Sequence, residues 1–528
     1  MTRLMINSWR LEVKDINKII TVFIFSLVWL VSFGFFSQAA NGQDHSQERF
    51  NCYTILVSKE ASADGSVLVA HNEDDYGQLI VNVRKMAPRN YGQTVKINLG
   101  EGGVYQTGGQ INGFLWIEAT GQEFADSFVN DYGVVITSDS CASKEDREDL
   151  TAGGIGYMLR RIMALKARSA REAVQLAGQL VETYGYRGSG RTYSIADKNE
   201  AWMLAVIKGR HWLARRVPDG EVAIIPNFYT IRDIRLDDPK NYLGSADIID
   251  YAIKNGWYDE KKDGLFDFKK AFSRPSRREP VFDGNTLRMW RGLSLLSGQK
   301  WEINGDYPFS FKPAAKITPE SLMAILRDHY EGTEYDATSL YQQGSPNKTK
   351  FRTICTETTI NSFVAVLNGQ KPEPVSALVW LAFGKPDTTA YLPVYYGLDS
   401  LPPGAGAGSN YHDYEQLYRQ HYDPVDIKAA QDSLLSTKVR QYESLVEASY
   451  GQRIETVRQR LLPVEKEYLQ TSPEFEAKFS SLYKRDKKSA QKLLKDYQTA
   501  IFSRMMGLYD RLLRENKQTP ALQVETGF

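Results

Sequence analysis

The sequence predicts an α+β fold, with sheets early in the chain and helices between and after them. Three observations predict it. Residues 53–74 and 192–226 contain short runs rich in β-branched and aromatic residues, closed by Gly, Asp and Asn turns. Residues 154–183 switch to a helical period. Past residue 410 the chain turns helical and charged, so a C-terminal helical extension completes the class. The hydrophobic fraction is 42%, enough for a sizeable core. Net charge is +1 and the basic residues form no stripe, which argues against nucleic acid as a partner.

The first folded elements form a hairpin. Tyr53–Ser58 reads as a strand, Ala63-Asp64-Gly65 as a turn, and Ser66–His71 as the returning strand. The hairpin brings His71, Asn72, Glu73 and Asp74 back beside Cys52. Residues 76–137 read as strands with Gly-heavy loops. Within 154–183, Ser169 and Glu172 form a capping box at the start of a second helix. The runs 192–196, 201–206, 211–217 and 221–225 read as one antiparallel meander. Residues 240–350 mix helices with long loops, and Thr318-Pro319-Glu320 opens a helix with Pro in its first turn. Strands return at 361–366, 377–383 and 390–394. Residues 401–410 are rich in Pro, Gly and Ala and read as a linker. Beyond it, Pro463 is expected to end one helix and Ser472-Pro473-Glu474 to start another that runs toward Arg514.

The N-terminus carries an export signal. Arg3, Arg10, Lys14 and Lys18 precede an apolar run, Ile19–Phe36, followed by Ser37, Ala39, Ala40 and Gly42. A basic region, an apolar core and a small-residue cleavage zone make residues 1–42 a signal peptide, with a retained membrane anchor as the alternative. The expectation is a periplasmic or secreted protein whose membrane contact is limited to this signal. Residues 43–51 are then a short pro-segment.

Export makes the three cysteines informative: Cys52, Cys141 and Cys355. An oxidising compartment favours pairing, and an odd count leaves one thiol over. If a pair forms it joins Cys141 to Cys355, because Cys52 has another use; two buried free thiols are the alternative. Cys52 does not suit lipid anchoring, since Arg49 and Phe50 precede it.

A thiol attacks well only as thiolate, so it needs a base. No His falls in a recognisable cysteine-protease signature. Cutting the bond before Cys52 would free its own α-amine, whose ordinary pKa of about 7.7–8.0 suits a base near neutral pH. The thiol itself can make that cut by attacking the carbonyl of Asn51.

The stretch Cys52–Ser66 (CYTILVSKEASADGS) followed by Ala70–Asp74 (AHNED) resembles the opening of the C69 dipeptidases. These are relatives of dipeptidase A and secernin among the N-terminal nucleophile (Ntn) hydrolases. Tyr193–Trp202, His211-Trp212, Arg215–Asp219, Ile225-Pro226-Asn227, Arg327–Thr333, Trp380 and Pro393–Gly397 continue the likeness in order. It spans about residues 52–400 and implies a four-layer αββα Ntn-hydrolase sandwich, with the helical region 411–528 outside it. It implies a thioester acyl-enzyme, with no cofactor and no metal. It places Cys52 as nucleophile, Asp74 as the group that holds the α-amine and orients the thiol, and Asn227 as an oxyanion donor. Asn72 and Asp74 match the Arg-Asn-x-Asp that the more distant bile-salt hydrolases and penicillin acylases carry after the first hairpin; His71 stands where those carry Arg. Arg288 or Arg291 would complete the site.

The expected function is therefore hydrolysis of dipeptides or short peptides. The alternatives are an Ntn acylase on a bile-salt or penicillin-type amide, and a non-catalytic binding protein on the same fold. The helical tail is a surface for homo-oligomer formation, a shield over the site, or a layer packed on the core.

Overall fold

The structure, a computed structural model, describes residues 52–517 except 76–78, 80, 101, 277, 339–343, 350, 408, 412–413 and 424. The expected signal peptide, residues 1–42, and the expected pro-segment, residues 43–51, lie outside the described residues. Sixteen strands build two sheets: β1 Tyr53–Val57, β2 Val67–Asp74, β3 Val81–Met86, β4 Phe114–Ala119, β5 Asp126–Asn130, β6 Val135–Ser140, β7 Tyr186–Ala196, β8 Ala201–Gly209, β9 Trp212–Arg216, β10 Val222–Ile225, β11 Tyr242–Gly244, β12 Ser310–Phe311, β13 Thr359–Leu367, β14 Ala377–Ala382, β15 Leu392–Tyr395 and β16 Ser409–Tyr411. One sheet has seven strands in the order β12-β10-β1-β2-β13-β14-β15. The other has nine, β11-β9-β8-β7-β6-β5-β4-β3-β16. Within these sheets, pairing is antiparallel except between β3 and β16.

The sheets face each other where β1 meets β6 and β2 meets β7. Two helices, α1 (Met158–Lys166) and α2 (Ala170–Tyr184), cover the outer face of the nine-stranded sheet. Two more, α3 (Gly284–Ser297) and α4 (Pro319–Leu326), cover the seven-stranded one. The layers run helix, sheet, sheet, helix, the αββα sandwich the resemblance implied. β2 and β13 are buried along their whole length, as strands covered on both faces must be.

Local chemistry sets several boundaries. Ser169 caps α2 by accepting from the Glu172 N–H. The expected reciprocal bond is shifted by one residue, because Glu172 reaches the Arg168 N–H instead. Thr318 and Ser321 form a full capping box at α4, with Pro319 in the first turn.

Three expectations are corrected. The run 221–225 does not extend the meander: β10 crosses to the other sheet and pairs with β1, because the far edge of β9 is taken by β11. A helix does end at Arg460, just before Pro463, but Pro463 sits in the first turn of the next helix, and Pro473, expected to start one, lies inside that same helix. From Leu435 onward the α-helices are α5 (Leu435–Ala448), α6 (Tyr450–Arg460), α7 (Leu462–Tyr483) and α8 (Lys487–Lys517). The chain breaks between α7 and α8 at Lys484–Asp486, where the Asp486 carboxylate accepts the Ser489 N–H. Lastly, the stretch read as a linker is packed: Leu401, Ala405 and Ala407 are buried, and a Cβ on Gly406 would lie 1.9 Å from the Val83 carbonyl oxygen. The helical region is no loose appendage, since its apolar side chains share one core with β14 and β15.

All three cysteines are buried and free, so the Cys141–Cys355 pair does not form. Among the described residues, no helix is long and apolar enough to cross a membrane.

One close approach positions the site. Gly292 of α3 faces β1, and a Cβ there would lie 2.0 Å from the Tyr53 hydroxyl and 2.9 Å from Ile224 Cδ1. The missing side chain lets α3 lie close to the start of β1, and Tyr53 donates to the Arg288 carbonyl at 3.3 Å. Overpacking a tight contact costs about 1–3 kcal/mol. Gly292→Ala should therefore lower thermal stability by that amount and reduce turnover by moving Arg288; unchanged melting and turnover would refute the reading.

Candidate active site

Cys52 stands at the start of β1, buried at 3% exposure. The β1–β2 register pairs Tyr53 with Asn72 and Thr54 with His71, so Cys52 falls opposite Glu73. Side chains alternate along a strand. One face of β2 thus presents His71 and Glu73 toward the second sheet, and the other presents Asn72 and Asp74 toward the helices.

The thiol sits on the first face. Cys52 Sγ donates to Glu73 Oε1 at 3.0 Å, and Glu73 Oε2 lies 3.1 Å from His71 Nε2. His71 Nδ1 lies 2.7 Å from Thr54 Oγ1, which donates to Asp139 Oδ2 at 2.7 Å. Asp139 comes from β6 of the other sheet. Burial pushes the Cys52 thiol well above its ordinary range, and the carboxylates of Glu73, Asp139 and Asp74 push it further the same way. Burial raises Glu73 to about 8 and Asp139 to about 6, and lowers His71 to about 4. The imidazole is therefore neutral at physiological pH.

The second face is organised by Arg288. Its Nη1 donates to the Cys52 carbonyl at 3.1 Å. Its Nη2 donates to Asn227 Oδ1 at 2.9 Å, Asn285 Oδ1 at 2.8 Å and the Pro226 carbonyl at 3.3 Å. Asp74 Oδ2 stands 3.6 Å from Arg288, and the same carboxylate takes Arg352 at 2.7 Å and Thr359 at 2.6 Å. Asn227 has φ +78°, a left-handed conformation Asn tolerates better than most residues, and its Nδ2 donates to the Ser140 carbonyl at 3.1 Å. Strain of this kind collects at functional sites.

The sequence-predicted residues divide accordingly. Cys52, Asn227, Arg288 and Asp74 come together, with Asp74 reaching the thiol only through its backbone carbonyl, 4.0 Å from Sγ. The carboxylate on the thiol is Glu73. Asn72 turns away and donates to the carbonyls of Leu326 and Ile354, both at 2.9 Å. Between the two arginine candidates, Arg288 lies at the site. Arg291 forms a two-bond pair with Asp328 at 2.8 and 2.6 Å. Arg327, Asp328 and His329 follow α4, and their side chains bond to Glu465, Arg291 and Asn347. Sequence reasoning missed Glu73, Thr54, Asp139 and Arg352. Only Glu73 had a signal, its period-two spacing from His71.

Among the described residues, two groups have possible metal-ligand atoms within 4.8 Å of one another: Cys52, His71 and Glu73, and His329, Cys355 and Asp387. In both, hydrogen bonds within the group or to neighbouring side chains already engage donors, and we assign neither as a metal centre.

The sequence model of peptidase family C69 matches residues 51–422. The chain belongs to peptidase family C69. Among its relatives, a probable dipeptidase A of Streptococcus pyogenes serotype M1 is 29% identical over 379 residues, 68% of this chain and 78% of that one. A probable dipeptidase of Latilactobacillus sakei is 26% identical over 397 residues, 72% and 78% of the two chains. Dipeptidase A of Lactobacillus helveticus is 28% identical over 369 residues, 66% and 76%. Among solved structures, a mutant conjugated bile acid hydrolase from Clostridium perfringens aligns at 14% identity over 65% of this chain and 92% of that one, with a TM-score of 0.28. This C69 peptidase has Cys52 at the second residue of the family match.

Proposed function

We propose that this C69 peptidase is an exported, cysteine-dependent dipeptidase, matured by cleavage before Cys52. The observation that carries the reading is the double hold on Cys52: its thiol on a carboxyl group, its carbonyl on a buried guanidinium. Relatives named as dipeptidases support the substrate class.

In the mature enzyme the α-amine takes the thiol proton as Sγ attacks the scissile carbonyl. The tetrahedral oxyanion is stabilised by Asn227, whose carboxamide is fixed by Arg288. Collapse, with the α-ammonium proton passed to the leaving nitrogen, expels the C-terminal residue of the dipeptide and leaves a thioester, which water then hydrolyses. Asp74 acts at one remove, setting the position of Arg288.

Intact mass and N-terminal sequencing of the exported full chain, beside Cys52→Ala, test this. The wild type should begin at Cys52 and the variant should keep residues 43–51. Dipeptide turnover in the variant should fall by at least about 10⁴-fold, as expected when a nucleophile is removed. A wild type that starts near residue 40 yet cleaves dipeptides would eliminate the α-amine as base. A panel in which bile-salt or penicillin-type amides outpace dipeptides would move the substrate assignment to the acylases.

A further inference from the structure

The maturation cut needs a base before any α-amine exists, because the nitrogen of Cys52 is then still an amide. Free thiolate is disfavoured in this site: the thiol is buried and three carboxyl groups surround it. The proton has to leave as the S–C bond forms, through a group already in contact with Sγ.

The hydrogen bonds define a route. The Thr54 hydroxyl hydrogen is committed to Asp139, so Thr54 Oγ1 accepts from His71 Nδ1–H. The neutral ring then carries its lone pair on Nε2, which faces Glu73 Oε2. A protonated Glu73 donates there and keeps Oε1 as acceptor for the thiol. Every donor along Cys52, Glu73, His71 and Thr54 points the same way, toward Asp139. Asp139 Oδ1 has no hydrogen-bond partner among the described residues, so its charge is poorly compensated and gains from neutralisation.

We propose that Cys52, Glu73, His71, Thr54 and Asp139 form a proton relay that activates the thiol for the precursor's self-cleavage. The proposal rests on the self-maturation reading above. In the step, the thiol proton moves to Glu73 Oε1 and the Oε2 proton moves to His71 Nε2. The Nδ1 proton moves to Thr54 Oγ1 and the hydroxyl proton moves to Asp139 Oδ2. Negative charge thereby passes from Asp139 to Sγ, which bonds the carbonyl carbon of Asn51. The C–N bond to Cys52 breaks, its nitrogen recovers a proton by the reverse passage, and water hydrolyses the thioester to a free thiol and the Asn51 carboxylate. Two strands of one sheet and one of the other supply the groups, so the relay exists only once the sandwich has closed.

The relay needs Asp139 ionised. Asp139 faces His71 and Glu73 of β2, Arg191 of β7 and Cys141; Glu73 in turn faces Arg160 of α1, Asp126 of β5 and Arg191. With Asp139 at about 6, self-cleavage should quicken as pH rises through that value.

The test uses the full chain from cell-free translation, diluted into buffers from acid to mildly alkaline pH, with the new N-terminus followed by mass. Thr54→Val keeps the side-chain shape and removes the link; Thr54→Ser restores it. The wild type should show the rise near pH 6. Thr54→Val should mature about 10²–10⁴-fold more slowly, the range of a lost general base, with no such rise. Thr54→Ser should stay within about tenfold of the wild type and keep the rise. Thermal melting checks that Thr54→Val folds, and Asp139→Asn should repeat its slow, flat profile. Thr54→Val maturing at the wild-type rate with the wild-type profile overturns the relay alone. If Cys52→Ala also loses its pro-segment at the wild-type rate, self-maturation falls and the relay with it.

Discussion

Replacing Arg288 with Met should abolish turnover and strongly destabilise the fold. The side chain is fully buried and serves at least five acceptors, the Gly284 carbonyl among them, besides its charged neighbour Asp74. Methionine has comparable reach and no donors, so the Cys52 carbonyl and the Asn227 and Asn285 amides would lose a partner. Breaking a buried ion pair from one side costs about 3–5 kcal/mol, because the remaining charge is left uncompensated. Here Arg352 still reaches Asp74, which sets the cost toward the lower end. The effect on the reaction is larger. Asn227 would lose the contact that aims it, and loss of one oxyanion donor alone is worth about 10²–10³-fold. Thermal melts and dipeptide kinetics measure both effects. Lysine at 288 can satisfy one or two of these acceptors but cannot span them all, so it should recover stability more than rate. An Arg288→Met enzyme with near wild-type turnover would remove Arg288 from the site.

Deleting the chain after residue 422 should prevent folding altogether. The family match ends there, so the deletion leaves every residue of the matched region in place. The packing argues the opposite of dispensability. Leu435, Val439, Tyr442, Val446, Val457, Leu461, Phe479, Leu494, Phe502 and Leu512 are each buried in the core that also holds Phe383, Tyr391 and Val394. Ten such side chains at about 1.5–3 kcal/mol apiece outweigh the roughly 5–15 kcal/mol net stability of a typical domain. Polar links would be severed as well. Glu465 takes both Arg327 and the Tyr391 N–H, Glu443 holds Lys385 at 2.8 Å, and Tyr450 donates to Asp387 at 2.7 Å. The deletion would also uncover β15, the edge strand of the seven-stranded sheet, against which α7 and α8 pack. Soluble yield and thermal melting of the truncated chain beside the full one test this. A truncated chain that melts cooperatively and keeps its activity would reduce the helices to an accessory.

How legible the site was depended on how far apart its parts lie in sequence. The β1–β2 hairpin was readable, because alternating apolar residues and the Asp64-Gly65 turn are local signals. With it came Cys52 and the group 71–74. The choice of Glu73 over Asp74 as the thiol's neighbour was not readable. It depends on register, and a one-residue slip exchanges the two faces of a strand. Arg288 and Arg291 differ by three residues on one helix and were equivalent until α3 docked, with Gly292 facing Tyr53. Asp139 and Arg352 had no local signal at all, since a strand carboxylate and a loop guanidinium look alike wherever they end up. Pro473 misled for a related reason: its propensity argued for a helix start, and packing of Phe475 and Phe479 into the core overrode it.

By itself the sequence determined the α+β class and the opening hairpin, and it carried the expectation that Cys52 is the nucleophile and that the leader is an export signal, because each rests on residues close together in the chain. The tertiary structure alone decided which carboxyl group meets the thiol, which arginine holds its carbonyl, that β10 joins the other sheet, and that the C-terminal helices belong to the core. Those outcomes rest on burial and on contacts between residues tens to hundreds of positions apart. A group's chemistry in such a place is set by what desolvates it and what faces it, and neither is written in its neighbours along the chain.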